Sequence, residues 1–594
     1  MTEAAAKFGA ASVRWELQEL YSAPTDPAIE ADLSWGLESA REIEERYRGR
    51  VLTLTAPDFA EMAEQVEEHY ERTSRPSVYS HLLHSQDTAD PAAGRLLARV
   101  REAAAERGKH TVFLSLELAQ MPEEAAHKLY AHPRTARYRH MIESARRYRL
   151  HQLTEPEERI LTEYSPVASA WVRLFEELAA AIEVEVRGER VTLEQALSYQ
   201  YQPDRELRKE AAEAVSAALA RDIRTRSYVF NVVLQEKAID DRVRSYPSWI
   251  SSRNLANETS DEAVEALVTA VTNRFGVVAR YYEAKGRMLG LERLYEWDRY
   301  APVGEETREI DWEAAKELVL GSYHRFSPRA GRLVQDFFEQ SWIDAPVEKG
   351  KQGGAYCMAA TPRLHPFVML NFTGRLNDAL TLAHELGHGL HDRLAAGQHI
   401  FDFHPPLTLA ETASVFGEAL TFDRIMAEEA DPGVRLSMLC RQVEGAMATI
   451  FRQVAMNRFE DACHTLRRKE GELSWEQVGE IWLANLRAMF GDSLTLTDDH
   501  RVWFSYVGHF VHTPGYVYDY AFGNLLALSV YRRYQESGPD FVEAYLEFLA
   551  AGGSRRPDEL VRTLGMDIAD PGFWDAGLDI LDGMVGQVEE LSRA

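Results

Sequence analysis

His384-Glu385-Leu386-Gly387-His388 sets two imidazoles four residues apart with a carboxylate beside the first. On an α-helix, residues four apart share a face, about one turn along the axis. Two histidines so placed can hold one zinc ion. The glutamate lies roughly 100° round the helix, where it can reach a water on that ion without being a ligand. The chemistry such a set performs is hydrolysis, foremost of a peptide bond. Zinc brings the pKa of a bound water down to about 7 and polarises a carbonyl, and the glutamate carries the proton from the water to the leaving amine. His384 and His388 are thus the expected zinc ligands and Glu385 the expected general base.

Catalytic zinc takes three protein ligands and keeps one position open. His391 shares the helical face, but it lies seven residues from His384. That is about 10 Å on a straight helix, awkward for bonds of about 2 Å converging on one ion. The pattern that draws three histidines from one segment needs Gly at 391 and His at 394, where this chain has His391 and Leu394. Glu411, within Leu409-Ala-Glu-Thr-Ala-Ser-Val-Phe-Gly-Glu418, is the better third ligand. A second helix crossing the first would present it, and its apolar neighbours would make an unpaired carboxylate costly. Glu418, on the same face, suits a hydrogen bond to a ligand imidazole. A tetrahedral oxyanion also needs a donor besides the metal. His509-Phe-Val-His-Thr-Pro-Gly-Tyr-Val-Tyr-Asp-Tyr520 gathers two histidines and three tyrosines. A phenol hydroxyl is a neutral donor fit for that task, and the same rings would equally serve as core aromatics.

The elements that must position these groups are mostly helices. Leu380, Leu382, Ala383, Leu386 and Leu390 give the motif an apolar helical body. Just upstream, Ala355–Met358 and Pro366–Phe372 are β-favouring runs, and a weaker hairpin is expected over Ile182–Arg187 and Glu189–Leu193 about Gly188. Thr55-Ala-Pro-Asp58 reads as a helix start leading into the stripe Phe59, Met62, Val66, Tyr70. Amphipathic helical runs are expected over Asp204–Arg224, Asp261–Leu289, Asp311–Tyr323, Gly433–Lys469 and Trp475–Met489, with loops at Tyr300–Glu309 and Ile343–Gly354.

The 594 residues, 45% of them hydrophobic, suffice for several lobes. A formal net charge of −28 argues against nucleic-acid or anionic-membrane partners, which call for basic patches. Cys357, Cys440 and Cys463 show no metal-type spacing and no disulfide framework. The start, Met-Thr-Glu-Ala-Ala-Ala-Lys-Phe-Gly, has no signal-peptide apolar core, and no apolar run approaches the roughly 20 residues of a membrane span. A cytoplasmic location is expected.

Together these residues resemble the oligoendopeptidase F and thimet oligopeptidase family of zinc metallopeptidases. The resemblance rests on Gly353-Gly-Ala-Tyr356, Asn371-Phe-Thr-Gly-Arg-Leu-Asn-Asp378, Thr381-Leu-Ala-His-Glu-Leu-Gly-His388, Glu411-Thr-Ala-Ser414 and His512 with Pro514-Gly-Tyr-Val-Tyr-Asp-Tyr520. Trp15-Glu-Leu-Gln-Glu-Leu-Tyr21 and Asp570-Pro-Gly-Phe-Trp574 point to the oligoendopeptidase F branch. It implies zinc on His384, His388 and Glu411, with Glu385 as base. It also implies His512, Tyr516 and Tyr520 on the substrate carbonyl or oxyanion, with Tyr518 competing for that role. The implied fold is mainly α and two-lobed, with a small antiparallel β-sheet beside the zinc-binding helix and a deep channel for short oligopeptides. Pro366–Phe372 would lie at the channel edge and pair with substrate backbone. The implied divisions are an N-terminal helical region (1–110), an oligoendopeptidase-type domain (111–205) and a catalytic domain (206–594). A monomer or weak homo-oligomer is expected.

An exopeptidase with the same metal is the alternative. The aminopeptidase signature Gly-Ala-Met-Glu is replaced here by Gly-Gly-Ala-Tyr-Cys-Met358, which lacks the amine-binding glutamate and leaves a carboxypeptidase open. A helical peptide-binding protein without catalysis is disfavoured, because both histidines and Glu385 are present.

Overall fold

The computed structural model describes residues 7–304 and 308–593. Residues 1–6 of the Met1–Gly9 segment, and 305–307 of the expected Tyr300–Glu309 loop, lie outside the described residues. The chain is mainly α. It forms two compact units, each built from three stretches of sequence. One comprises Met1–Arg149, Arg308–Glu428 and Arg533–Met566, and the other Leu150–Thr307, Glu429–Arg532 and Asp567–Ala594. Among the described residues, no helix is long and apolar enough to cross a membrane.

Helix starts follow their caps. Thr55 accepts a hydrogen bond from the Asp58 amide and opens the helix Ala56–Gln86. Phe59, Met62 and Val66 are buried in a cluster with Ile43, Tyr47, Phe113 and Leu118, whereas Tyr70 remains 39% exposed. Asp204 caps Arg205–Arg221, Asp311 caps Trp312–Phe326, and Ser474 with Gln477 closes a capping box on Trp475–Phe490. The run expected over Asp261–Leu289 is two helices, Asp261–Asn273 and Phe275–Met288. The break falls at Arg274, whose guanidinium donates to Asp575 and Asp579 on the helix Pro571–Leu591, where both halves pack. The run over Gly433–Lys469 is continuous through a π-helical turn at Met447–Phe451.

Five short strands complete the described residues. β1 (Glu183–Val186) and β2 (Glu189–Thr192) form the expected antiparallel hairpin, turning at Arg187 and Gly188, both with positive φ. β3 (Ile343–Asp344), β4 (Tyr356–Met358) and β5 (Phe367–Met369) form a second sheet in the order β3-β5-β4. The β4–β5 pair is antiparallel as expected, and β3 joins β5 in parallel, so the sheet is mixed. This order corrects one expectation. The Pro366–Phe372 run supplies the central strand, fully buried and bonded on both sides, so it has no edge to offer a peptide. Of this sheet's two outer strands, β3 is flanked by the 13–16 segment, where the Glu16 amide donates to the Ser341 carbonyl and the Ala345 amide donates to the Val13 carbonyl, so among the described residues the free edge of this sheet belongs to β4.

Candidate metal centre

The His-Glu-x-x-His motif lies on the helix Leu376–Ala395. Asp378 fixes its start, accepting from the Thr373 amide (2.7 Å), the Thr373 hydroxyl (2.8 Å) and the Arg375 amide (3.1 Å). Leu382, Ala383, Leu386 and Leu390 are buried, which turns the histidines toward the crossing helix, Leu407–Glu428. The helices meet at Gly387, where a Cβ would stand 2.6 Å from Ser414 Cα. One turn further along the crossing helix, Gly417 leaves room for Tyr323, whose hydroxyl donates to the Ala383 carbonyl (2.7 Å).

That crossing brings Glu411 to the histidines. The ligand atoms of His384, His388 and Glu411 all lie within 4.8 Å of one another. Glu411 Oε2 is 3.4 Å from His384 Nε2 and 3.7 Å from His388 Nε2. Tetrahedral zinc with bonds of about 2.0–2.2 Å spaces its ligand atoms by roughly 3.3 Å, so the set fits and leaves a fourth position open. Each ligand is held from behind. His384 Nδ1 is 3.2 Å from Glu418 Oε2, the His388 ring bonds the Ala410 backbone, and Ser414 donates to Glu411 Oε2 at 2.7 Å. Burial works against a charge on His384, but Glu418, Glu411 and Glu385 outweigh it and raise its pKa to about 9. His388 has only Glu411 as a facing carboxylate, and burial together with His384 holds it low. The proton of the metal-free pair therefore resides on His384. His391 is buried, neutral and outside the three-residue group.

Glu385 faces the same cavity, of about 530 Å³. Burial raises its pKa to about 7, Glu411 adds to the rise, and His384 and the amide of Cys357 oppose it. Cys357 belongs to β4, and its amide reaches Glu385 from the free edge of the sheet. Its thiol is 3.9 Å from Asp392, a carboxyl pushed up to about 7 by burial.

The other expected residues lie in the second unit. Tyr516 and Tyr520 stack edge to face at 5.2 Å, and His509 Nε2 is 3.2 Å from the Tyr520 hydroxyl. His512 Nε2 is 3.4 Å from Glu176, and after burial its ring is the next cause that holds the His509 pKa down. Tyr518 is fully buried, accepting from Asn257 (2.8 Å) and donating to Asn254 (2.7 Å). Gly515, at φ 79°, makes the turn before them, where a Cβ would meet Ile250 at 2.7 Å. Reading the sequence missed Gly387, Tyr323 with Gly417, Asp378 and the Cys357 amide. Glycine costs a helix interior about 1 kcal/mol against alanine, so the two helical glycines were the available signal.

A model of peptidase family M3 matches residues 198–580, well over half the chain. The chain belongs to peptidase family M3. It is a metalloendopeptidase, and a model described as oligopeptidase F matches residues 117–183 of this M3 peptidase. Oligopeptidase PepF of Bacillus subtilis is 25% identical over 588 residues, covering 97% of this chain and 87% of that protein. Group B oligopeptidase PepB of Streptococcus agalactiae is 27% identical over 535 residues, covering 88% of each. Among solved structures, the fold resembles that of a Chlamydophila abortus protein (TM-score 0.88, 23% identity, 97% and 98% of the two chains). It also resembles oligoendopeptidase-F from Enterococcus faecium (TM-score 0.71, 23% identity, 94% and 97% of the two chains).

Proposed function

We propose that this M3 peptidase is a zinc endopeptidase cutting internal bonds of short oligopeptides, with His384, His388 and Glu411 as ligands and Glu385 as general base. The observation that carries the reading is the convergence of two imidazoles and one carboxylate within 4.8 Å, beside a buried glutamate of raised pKa. Zinc bound there supplies a Lewis acid for the scissile carbonyl and acidifies water at the open position. Glu385, held by the Cys357 amide, takes the proton of the attacking water and delivers it to the leaving amine nitrogen. In the metal-free site burial alone already raises this carboxyl toward the neutral range. The free edge of β4 would take the peptide backbone by strand addition. Tyr516 and Tyr520 are the proposed donors to the oxyanion, with His512 on the substrate, since the hydroxyl of Tyr518 is already spent on two asparagines.

The names of the relatives, oligopeptidase and oligoendopeptidase, support short peptides as substrates. The match over 198–580 supports a catalytic domain over 206–594, following regions 1–110 and 111–205. Three free cysteines support a cytoplasmic location. The net charge of −28 supports a protein that binds neither nucleic acid nor membrane, as a monomer or weak homo-oligomer.

The test is a fluorogenic peptide blocked at both ends. Cleavage at an internal bond, abolished by a chelator and restored by zinc, is the expected result. Activity confined to peptides with a free terminus would replace the reading with an exopeptidase.

A further inference from the structure

An apolar cavity of about 510 Å³ adjoins the metal cavity within the same unit. Met62, Val66, Leu118, Met141 and Phe401 line it, and Val112 and Ser115 stand at its rim, Val112 being 54% exposed. The two cavities share His404. Ala359 borders the metal cavity and the next residue, Ala360, borders the apolar one. The His404 ring bonds the Ala360 backbone, and burial lowers the pKa of the ring. The chain leaving β4 therefore runs from one cavity into the other. A folded protein gains nothing from leaving such a hollow unfilled, and apolar recesses of this kind mark ligand sites.

The direction of the strand says what enters. The Cys357 amide points from the free edge of β4 to Glu385, which marks where the attacked carbonyl must lie. A peptide added antiparallel to β4 runs opposite to Tyr356-Cys357-Met358-Ala359-Ala360. Its residues before the scissile bond then lie toward Ala360, beside the apolar cavity.

We propose that this cavity is the subsite for a large apolar side chain at one of the two substrate positions preceding the cut bond, with His404 as the post between subsite and metal centre. The proposal rests on the zinc endopeptidase reading above, and on strand addition at β4. An apolar pocket of this type discriminates a large side chain from a small one by about 10-fold or more.

The experiment uses the full-length zinc-loaded protein and two end-blocked peptide series, in which either of the two positions before the cut carries Leu, Phe or Gly. Two variants alter only the rim: Ser115→Trp narrows the mouth and Val112→Arg charges it. Both positions are exposed on the helix Pro91–Ala119, so the fold should tolerate the changes. Wild type should favour Leu or Phe over Gly at one position by about 10-fold or more in kcat/KM, and both variants should erase the preference while leaving the Gly peptide within about 2-fold. A wild type indifferent to both positions, or a preference that survives both variants, overturns the proposal. Failure of wild type to cleave any blocked peptide, Gly series included, would instead overturn the endopeptidase reading and the subsite together.

Discussion

The backbone of Gly387 meets the backbone of Ala413: a Cβ at 387 would stand 2.4 Å from the Ala413 carbonyl oxygen. Neither partner is a flexible side chain, so Gly387→Ala must spread the two helices that carry the proposed ligands. Overpacking of this kind costs about 1–3 kcal/mol, and the shift falls where His384 and His388 must converge with Glu411. The variant should fold with a lower Tm and retain zinc at least 10-fold more weakly than wild type. Zinc content after equilibrium dialysis checks this, and an unchanged affinity would separate the crossing from the metal centre.

Glu385→Gln tests the base. Glutamine keeps the volume and can still accept from the Cys357 amide, so zinc content should stay at wild-type level. Turnover of an end-blocked peptide should fall by about 10²–10⁴-fold. A variant with near-normal kcat would assign the proton transfers elsewhere.

Glu418→Gln tests the support behind His384. It removes the carboxylate charge 3.2 Å from His384 Nδ1 while leaving the ligands themselves in place. Zinc affinity should weaken by about 10–100-fold, with kcat at saturating zinc nearly retained. Loss of kcat at full zinc occupancy would give Glu418 a direct part in the chemistry instead.

Protons compete with zinc at this centre. The pKa of His384 is raised to about 9 in the metal-free protein, and a metal must displace that proton. Between about pH 7 and 9, zinc binding should therefore release one proton from His384, and affinity should rise about tenfold per pH unit. For the zinc-free fold the sign is opposite. A histidine raised above its ordinary 6.5 adds stability that is full below pH 6.5 and is lost as pH rises through about 9. Calorimetry in buffers of different ionisation heats counts the proton, and Tm against pH follows the second effect.

Tyr518 and Tyr516 should separate cleanly. Tyr518→Phe removes one buried partner from each of Asn254 and Asn257, which keep their bonds to Asp261 and Asp519, and should cost stability by about 1–3 kcal/mol with kcat little changed. Tyr516→Phe should leave Tm within about 1 °C and lower kcat by about 10²-fold if its hydroxyl serves the oxyanion. Both halves are read by thermal melts and steady-state kinetics. The reverse pattern would exchange their roles.

Much of the site was legible because its signals are local. The four-residue spacing of His384 and His388 needs only helical geometry, and Thr55, Asp204, Asp311 and Ser474 announce helix starts through bonds made within three residues. The Arg187–Gly188 hairpin is local in the same sense. What escaped is non-local. Nothing in Pro366–Phe372 says that Ile343–Asp344 will pair with its far side, yet that pairing moves the free edge to β4. The helix break at Arg274 answers to acids at 575 and 579, some 300 residues on. Tyr70 continues an apolar stripe by spacing but borders the open apolar cavity, so it stays half exposed.

Tyr323 works as a peg. Its hydroxyl fills the notch at Gly417 and locks onto the Ala383 carbonyl, one residue before His384. The spacing of the two ligand-bearing helices is thereby tied to a third, Trp312–Phe326, which supplies no proposed ligand. Metal retention thus becomes a strain gauge for the interior: damage around Tyr323 should register as lost zinc well before the fold itself gives way.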